Sequence, residues 1–245
     1  MKPDIVVDIG NSRMKWGWCV GGCVERVSIL GDDVEDWNRE IRERGPQSYH
    51  WSIASVHPER YDRFSRWVKA RGDTETVLKS HRDIPLSIDV SNPESVGIDR
   101  LCNSLAALQL HGPGPLLVVQ VGTTVVLNLI SEDGTFEGGA ILPGFHLMAK
   151  SLGTGTAKLP VIQFDGPVSP EPGRSTEAAI RSGIYWSIVC AITGLRAAYA
   201  VFANRELPLI FTGGDAGLIL DQFIDSRHSP ALTLEGIRIA AEALP

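Results

Sequence analysis

The chain repeats itself. Ile5-Val6-Val7-Asp8 reads as a buried strand, Ile9-Gly10-Asn11-Ser12 as a tight turn, and Met14 to Val20 as a second strand. Gly21-Gly22 then marks a hairpin leading into a third strand, Cys23 to Leu30. The same order returns with Leu116 to Gln120, the turn Val121-Gly122-Thr123-Thr124, the strand Val125 to Ile130, and a hairpin signal at Asp133-Gly134. Gly10 and Gly122 open matching turns 112 positions apart. A strand meander met twice in one chain points to two related domains, and His111-Gly112-Pro113-Gly114-Pro115 is the obvious break between them. The expected division is therefore residues 1–112 and 113–245.

Each meander is followed by alternating helices and strands. Trp51 to Val56 reads as a strand and Pro58 to Arg71 as a helix, with Pro58 in the first turn where its missing donor costs nothing. Leu101, Leu105 and Leu108 give Ile98 to Leu110 a helical period. Pro143 to Leu152 and Thr176 to Asn204 read as helices, residues 154–173 as a long loop, and Leu209-Ile210-Phe211 as a buried strand. This pattern predicts an α/β protein with a mixed sheet in each half. Trp16, Trp18 and Trp51 are expected in the core, and Glu35 to Arg44 as a solvated helix face.

Composition removes several function classes. Twenty-three Lys and Arg stand against 29 Asp and Glu, a formal net charge of −6, so the basic excess of a general nucleic-acid binder is absent. No stretch approaches the ~20 apolar residues that span a bilayer, and the N-terminus does not read as a signal peptide. Cys19, Cys23, Cys102 and Cys190 show no CxxC spacing, so reduced cysteines in a cytoplasmic protein are expected, with neither membrane nor nucleic-acid partner.

The chemistry gathers at the turns. Glycine lets backbone approach a phosphate closely, and N–H groups and hydroxyls donate to its oxygens. Asp8 closes the first strand, where a carboxylate suits magnesium, and Lys15 lies near enough to offset phosphate charge. One isolated turn of this kind is most often hairpin punctuation. Two related turns and a third glycine pair, Gly213-Gly214 at a strand end, favour a nucleotide site. Asp99-Arg100 opens a helix after Gly97 and offers a carboxylate base beside a guanidinium that can grip an anion. An acid in a first turn also simply suits the helix dipole. His57 and His146 lack metal-ligand spacing and are expected to be structural.

In order along the chain, these segments resemble the type III pantothenate kinases, the Bvg accessory factor-like family within the acetate kinase, sugar kinase, heat-shock ATPase and actin superfamily. Asp8-Ile9-Gly10-Asn11-Ser12 resembles the first phosphate motif, and Gly97-Ile98-Asp99-Arg100 the Gly-x-Asp-Arg signature. Gly138-Gly139-Ala140-Ile141-Leu142-Pro143-Gly144 followed by Met148 and Ser151-Leu152, then Ser175-Thr176-Glu177-Ala178-Ala179-Ile180, and Phe211-Thr212-Gly213-Gly214-Asp215 are similar to three further blocks. The resemblance implies two ribonuclease-H-like (actin-like ATPase) domains, each with a mixed five-stranded sheet flanked by helices, and a nucleotide cleft between them. It implies ATP-dependent phosphorylation of pantothenate, the first step of coenzyme A synthesis, in a homodimer with shared active sites.

By the same resemblance Asp99 is the catalytic base, and Gly97, Ile98, Asp99, Arg100 and Thr176 contact pantothenate, Thr176 from the partner subunit. Asp8, Ile9, Gly10, Asn11, Ser12, Arg13, Met14, Lys15, Gly122, Thr123, Thr124, Gly213 and Gly214 address ATP and its phosphates, with Asp8 on Mg2+. The chain departs from the family pattern at four positions. Gln120 and Asn128 stand where the second phosphate motif carries acids, Thr124 replaces an alanine, and Val90 replaces a tyrosine. Gln120 occupies the monovalent-cation (potassium or ammonium) position without a charge, so an active kinase with altered potassium dependence is expected. Gln120 and Asn128 also leave open a catalytically weak accessory or regulatory homologue, and Val90 a kinase for another small hydroxy acid. A nucleic-acid protein of ribonuclease-H-like fold lacks the acidic metal cluster and basic surface it would need.

Overall fold

A computed structural model describes residues 2–11, 13–45, 47–112 and 114–244. The chain divides into two compact units, Met1–Gly112 with Ala231–Pro245, and Pro113–Pro230. Residues 231–245, expected with the second half, belong to the first.

In the first unit β1 (Ile5–Ile9), β2 (Met14–Val20) and β3 (Cys23–Leu30) form the expected antiparallel meander. β4 (His50–Ser55) and β5 (Thr74–Leu78) then add on the other side of β1 in parallel, giving the order β3-β2-β1-β4-β5. β5 carries no run of apolar residues and gave no signal in the sequence. Alternation along β1 decides what each face meets. Ile5, Val7 and Ile9 join a core with Trp37 and Ile41 of α1 (Val34–Arg42) and Phe64 and Val68 of α2 (Pro58–Ala70). Trp16, Trp18 and Trp51 lie in this core, with Trp16 and Trp51 edge to face at 4.9 Å. The α1 segment is not the wholly solvated face expected of it. It buries Trp37, Glu40 and Ile41, and Glu40 accepts hydrogen bonds from Trp18 (3.1 Å) and Ser28 (2.6 Å).

The opposite face of this sheet carries Val6 and Asp8 and is covered by α3 (Ile98–His111) and α6 (Leu232–Ala243). Residues 232 to 241 are all buried. Helix α6 crosses α3 so tightly that a Cβ on Gly236 would lie 2.0 Å from the Cys102 carbonyl oxygen. Thr233 donates to Asn103 at 2.8 Å, and Glu235 accepts from the Val24 backbone at 2.7 Å. These contacts explain why the last helix belongs here. Its apolar surround and small crossing residue match α3, not a solvent face.

The second unit repeats the topology. β6 (Leu116–Val121), β7 (Thr124–Ile130) and β8 (Phe136–Pro143) form the meander, and β9 (Leu209–Thr212) and β10 (Arg227–His228) add in parallel, in the order β10-β9-β6-β7-β8. One face packs on α4 (Phe145–Gly155) and α5 (Thr176–Ala203) through Phe145, Ile184, Tyr185 and Ile188. Ser175 caps α5 by accepting from the Ala178 N–H at 3.2 Å, and Asn204 ends it in the left-handed region at φ 51°. By length and composition α5 is apolar enough to cross a membrane, with an 18-residue window of mean hydropathy 1.5. That departs from the expectation that no stretch comes near. Its inner side carries the second core, whereas Val201 and Phe202 are 82% and 71% exposed.

Candidate active site

The first glycine turn is built by opposed strands. β1 and β2 place Asp8 directly across from Lys15, a cross-strand pair of opposite charge. Beyond them the Gly10 N–H donates to the Arg13 carbonyl at 3.0 Å, closing the turn. A Cβ on Gly10 would stand 3.2 Å from that oxygen, so glycine is what lets the turn tighten. Asn11 and Arg13 are exposed at the tip and Lys15 is half-buried. Ile9 and Met14, expected among the phosphate-binding residues, have side chains fully buried in the aromatic core, which leaves their backbone groups for any ligand. Ser12 lies outside the described residues.

Helix α3 brings a second carboxylate to the first. Asp99 lies in its first turn, where the helix dipole favours an acid, and Asp8 faces α3 from β1. Burial, then the neighbouring Asp99 charge, pushes the Asp8 carboxyl up to about 6, while Lys15 pulls it down. Asp8 keeps some exposure as a residue, but its carboxyl is enclosed enough that desolvation leads. Under the pair, burial drives the Cys102 thiol far above its ordinary value, with Asp8 and Asp99 adding to the effect. That keeps the thiol neutral. Gly97 has ordinary backbone angles (φ −57°, ψ 133°), so what a side chain there would disturb is its neighbour and not its own backbone. A Cβ there would stand 2.7 Å from Asp99 Oδ1. Arg100 follows Asp99 half-buried, and Ile98 is packed into the core.

A buried carboxylate repelled by another is a place where a divalent cation is favourable. Magnesium takes one or two carboxylates and completes its octahedron with phosphate oxygens and water. Asp8 therefore fits Mg2+ as a lone protein ligand. Among the described residues no group of three or more metal-ligating side chains occurs.

In the second unit Gln120 occupies the strand position that Asp8 holds in the first, two residues before its glycine. The turn closes by Gly122 N–H to the Thr124 carbonyl at 3.0 Å. Two glycines from elsewhere press on it. Gly144 donates to the Thr123 carbonyl at 2.9 Å, and a Cβ there would fall 1.9 Å from the Gly122 oxygen. Gly213, at φ +99°, lies against Val121, where a Cβ would come within 2.2 Å of the carbonyl oxygen. The next residues, Gly214 and Asp215, follow at the end of β9, and Asp215 donates its N–H to that Val121 carbonyl at 3.1 Å. Thr123, Thr124, Gly213 and Gly214 thus share one end of the second sheet. Asn128 is fully buried on β7, opposite Val118 and Gly139.

His146 shows no metal cluster and stands 4.0 Å from Asp215. Thr176, at the start of α5, is exposed and lines an open groove of about 680 Å³ with Pro143, Met148, Leu152, Ile180 and Ile184. The neutral donors at Gln120 offer a monovalent cation oxygen without negative charge, a poor fit for tight binding. Two further residues act at this turn: Arg60 reaches it from α2, and Asp32, in the loop after β3, grips Arg60. Nothing local marks them, because Arg60 lies 50 residues from the glycine it touches.

The family model for type III pantothenate kinase matches residues 5–198. A type III pantothenate kinase of Rhodopirellula baltica is 42% identical over 230 residues, covering 88% of this chain and 80% of that protein. Among solved structures, a protein of Campylobacter jejuni described as a Baf family transcriptional activator superposes with a TM-score of 0.67 at 18% identity, covering 97% of both chains. An inorganic polyphosphate/ATP-glucomannokinase from Arthrobacter does so with a TM-score of 0.50 at 15% identity, covering 100% of both. At these identities the two structures speak for the fold alone, two actin-like units with mixed sheets. The matched span holds both glycine turns, Asp99 and the start of α5, and the chain belongs to the type III pantothenate kinase family.

Proposed function

We propose that the chain transfers the terminal phosphate of ATP to the primary hydroxyl of pantothenate, the first step of coenzyme A synthesis. The observation that carries this reading is the Asp8–Asp99 pair, set beside a tight glycine turn and a cross-strand lysine in a chain of this family. In the first unit Asp8, Asn11, Arg13 and Lys15, with the backbone of residues 9, 10 and 14, address phosphate. Asp8 would hold Mg2+, which supplies charge neutralisation on the transferring phosphate. Asp99 accepts the hydroxyl proton as the alcohol oxygen bonds to phosphorus and the bond to the ADP oxygen breaks. Arg100 pairs with the pantothenate carboxylate, and Gly97 and Ile98 shape the floor around it. Gly122, Thr123, Thr124, Gly213 and Gly214 of the second unit supply backbone and hydroxyl donors for the nucleotide.

Phosphoryl transfer asks a protein mainly to position groups and neutralise charge, and one base with a few donors suffices. The exposed apolar surface of α5 favours a homodimer, in which Thr176 reaches the partner's pantothenate. Gln120 favours an enzyme only weakly dependent on potassium or ammonium. The same residue keeps a second reading alive, an accessory homologue with little turnover.

The test is ADP release by purified protein with pantothenate, ATP and magnesium, with and without potassium or ammonium, beside Asp99→Asn. We expect pantothenate-dependent turnover that falls about a thousandfold in the variant. No pantothenate-dependent turnover under any cation would favour the accessory reading.

A further inference from the structure

We propose that Arg60 and Asp32 form a positioning pair that fixes the first glycine turn in its phosphate-receiving shape; this rests on reading that turn as a phosphate site. Arg60 projects from the first turn of α2, and its side chain is only 10% exposed. Its Nε donates to both Asp32 oxygens (2.8 and 3.0 Å) and its Nη2 to Oδ1 (2.6 Å), a forked grip on one carboxylate. The remaining arm, Nη1, donates to the Gly10 carbonyl oxygen. Each of the three guanidinium nitrogens is thereby engaged, and three of its five N–H groups are directed to Asp32 and Gly10. The pair acts on the turn.

The peptide plane shows what that action is. In a trans peptide the carbonyl and the following N–H point in opposite directions. Drawing the Gly10 oxygen onto the guanidinium therefore turns the Asn11 N–H away from it. The Gly10 N–H is already spent on Arg13, and the Ile9 carbonyl accepts from the Val56 N–H at 3.1 Å. Both carbonyls are thus tied to donors, Ile9 to Val56 just before α2 and Gly10 to Arg60 within it, which lowers the negative charge each oxygen offers an anion approaching the turn. An exposed ion pair would carry little weight, but this guanidinium is largely buried, fork-bonded and tied to backbone, so its geometry is fixed. Asp32, 44% exposed, holds the fork at the angle the third arm requires.

The test compares binding of MgATP and of AMP by calorimetry for wild type, Arg60→Met, Arg60→Lys and Asp32→Asn, with pantothenate KM as a second control. ATP should weaken about tenfold in Arg60→Met, with AMP and pantothenate KM within about twofold of wild type. Arg60→Lys should recover only part of the loss, since an ammonium cannot fork, and Asp32→Asn should fall between. Equal weakening of ATP and AMP in step with a lower melting temperature would mean a merely structural pair and overturn the proposal. So would unchanged ATP binding in both Arg60→Met and Asp32→Asn. Should Arg60→Met fail to fold, Asp32→Asn decides by the same two ligands. Wild-type protein that binds no ATP would instead remove the kinase reading on which the pair's role depends.

Discussion

The two glycine turns are copies in topology and opposites in construction. Each is closed by one backbone hydrogen bond, but the first is braced by side chains, with Arg60 on the Gly10 carbonyl and Asp8 across from Lys15. The second is braced by backbone, with Gly144 and Gly213 pressed against Val121, Gly122 and Thr123 too closely for any Cβ. The first therefore carries charge, and the second carries amides and carbonyls around Gln120. A duplicated hairpin has split its labour. One copy keeps the ionisable groups that chemistry needs, and the other keeps a shape that only glycine permits.

That contrast is open to attack by substitution. Gly144→Ala drives a Cβ into backbone that cannot yield, so we expect a loss of about 3 kcal/mol in denaturant unfolding, whereas Gly10→Ala, 3.2 Å from one oxygen, should cost about 1 kcal/mol. Equal losses would erase the distinction between the turns.

Charge should make only the first turn sensitive to pH. In the metal-free protein Asp8 moves from its ordinary 3.8 to about 6. Between those values the folded chain holds a proton that the unfolded chain has released, so stability falls as pH rises through this range, by up to about 3 kcal/mol. Asp8→Asn should flatten the slope and stabilise the protein at neutral pH, read from melting temperatures across pH; an unchanged slope would place its cause elsewhere. Gln120→Ala should leave the slope as it is.

Gly97→Ala tests placement without charge. The new Cβ displaces the Asp99 carboxylate, and kcat should fall about tenfold with the melting temperature nearly unchanged. The smallest effect is expected from Gln120→Asp, which returns a charge to the second turn. Its turnover should respond to potassium by a few-fold more than that of wild type, and identical salt responses would show that this position takes no part in cation binding.

Much of the architecture was legible because the meander repeats and strands alternate apolar residues on a period of two. The turn residues were legible too, since glycine, a carboxylate and a lysine at short spacing have a local cause. What escaped has causes far away in sequence. β5, Thr-Glu-Thr-Val-Leu, is polar and becomes a strand only because β4 offers an open edge. The place of α6 depends on Gly236 meeting Cys102, and the clamp on Gly10 depends on residues 32 and 60. In the same way Gly97 could be read only as the residue before a helix and the first of a signature, whereas a side chain there would meet the carboxylate two positions later.

The return of residues 231–245 to the first unit also sets an order of events in time. The second unit is one uninterrupted stretch, 113–230, and can close as soon as it leaves the ribosome. The first has all its strands early but waits for α6 to cover β1 and α3. At ~5–20 residues per second that wait lasts roughly 6 to 24 s, during which the surface of β1 and α3 that α6 covers is bare. The half of the protein that is made first is the half that is finished last.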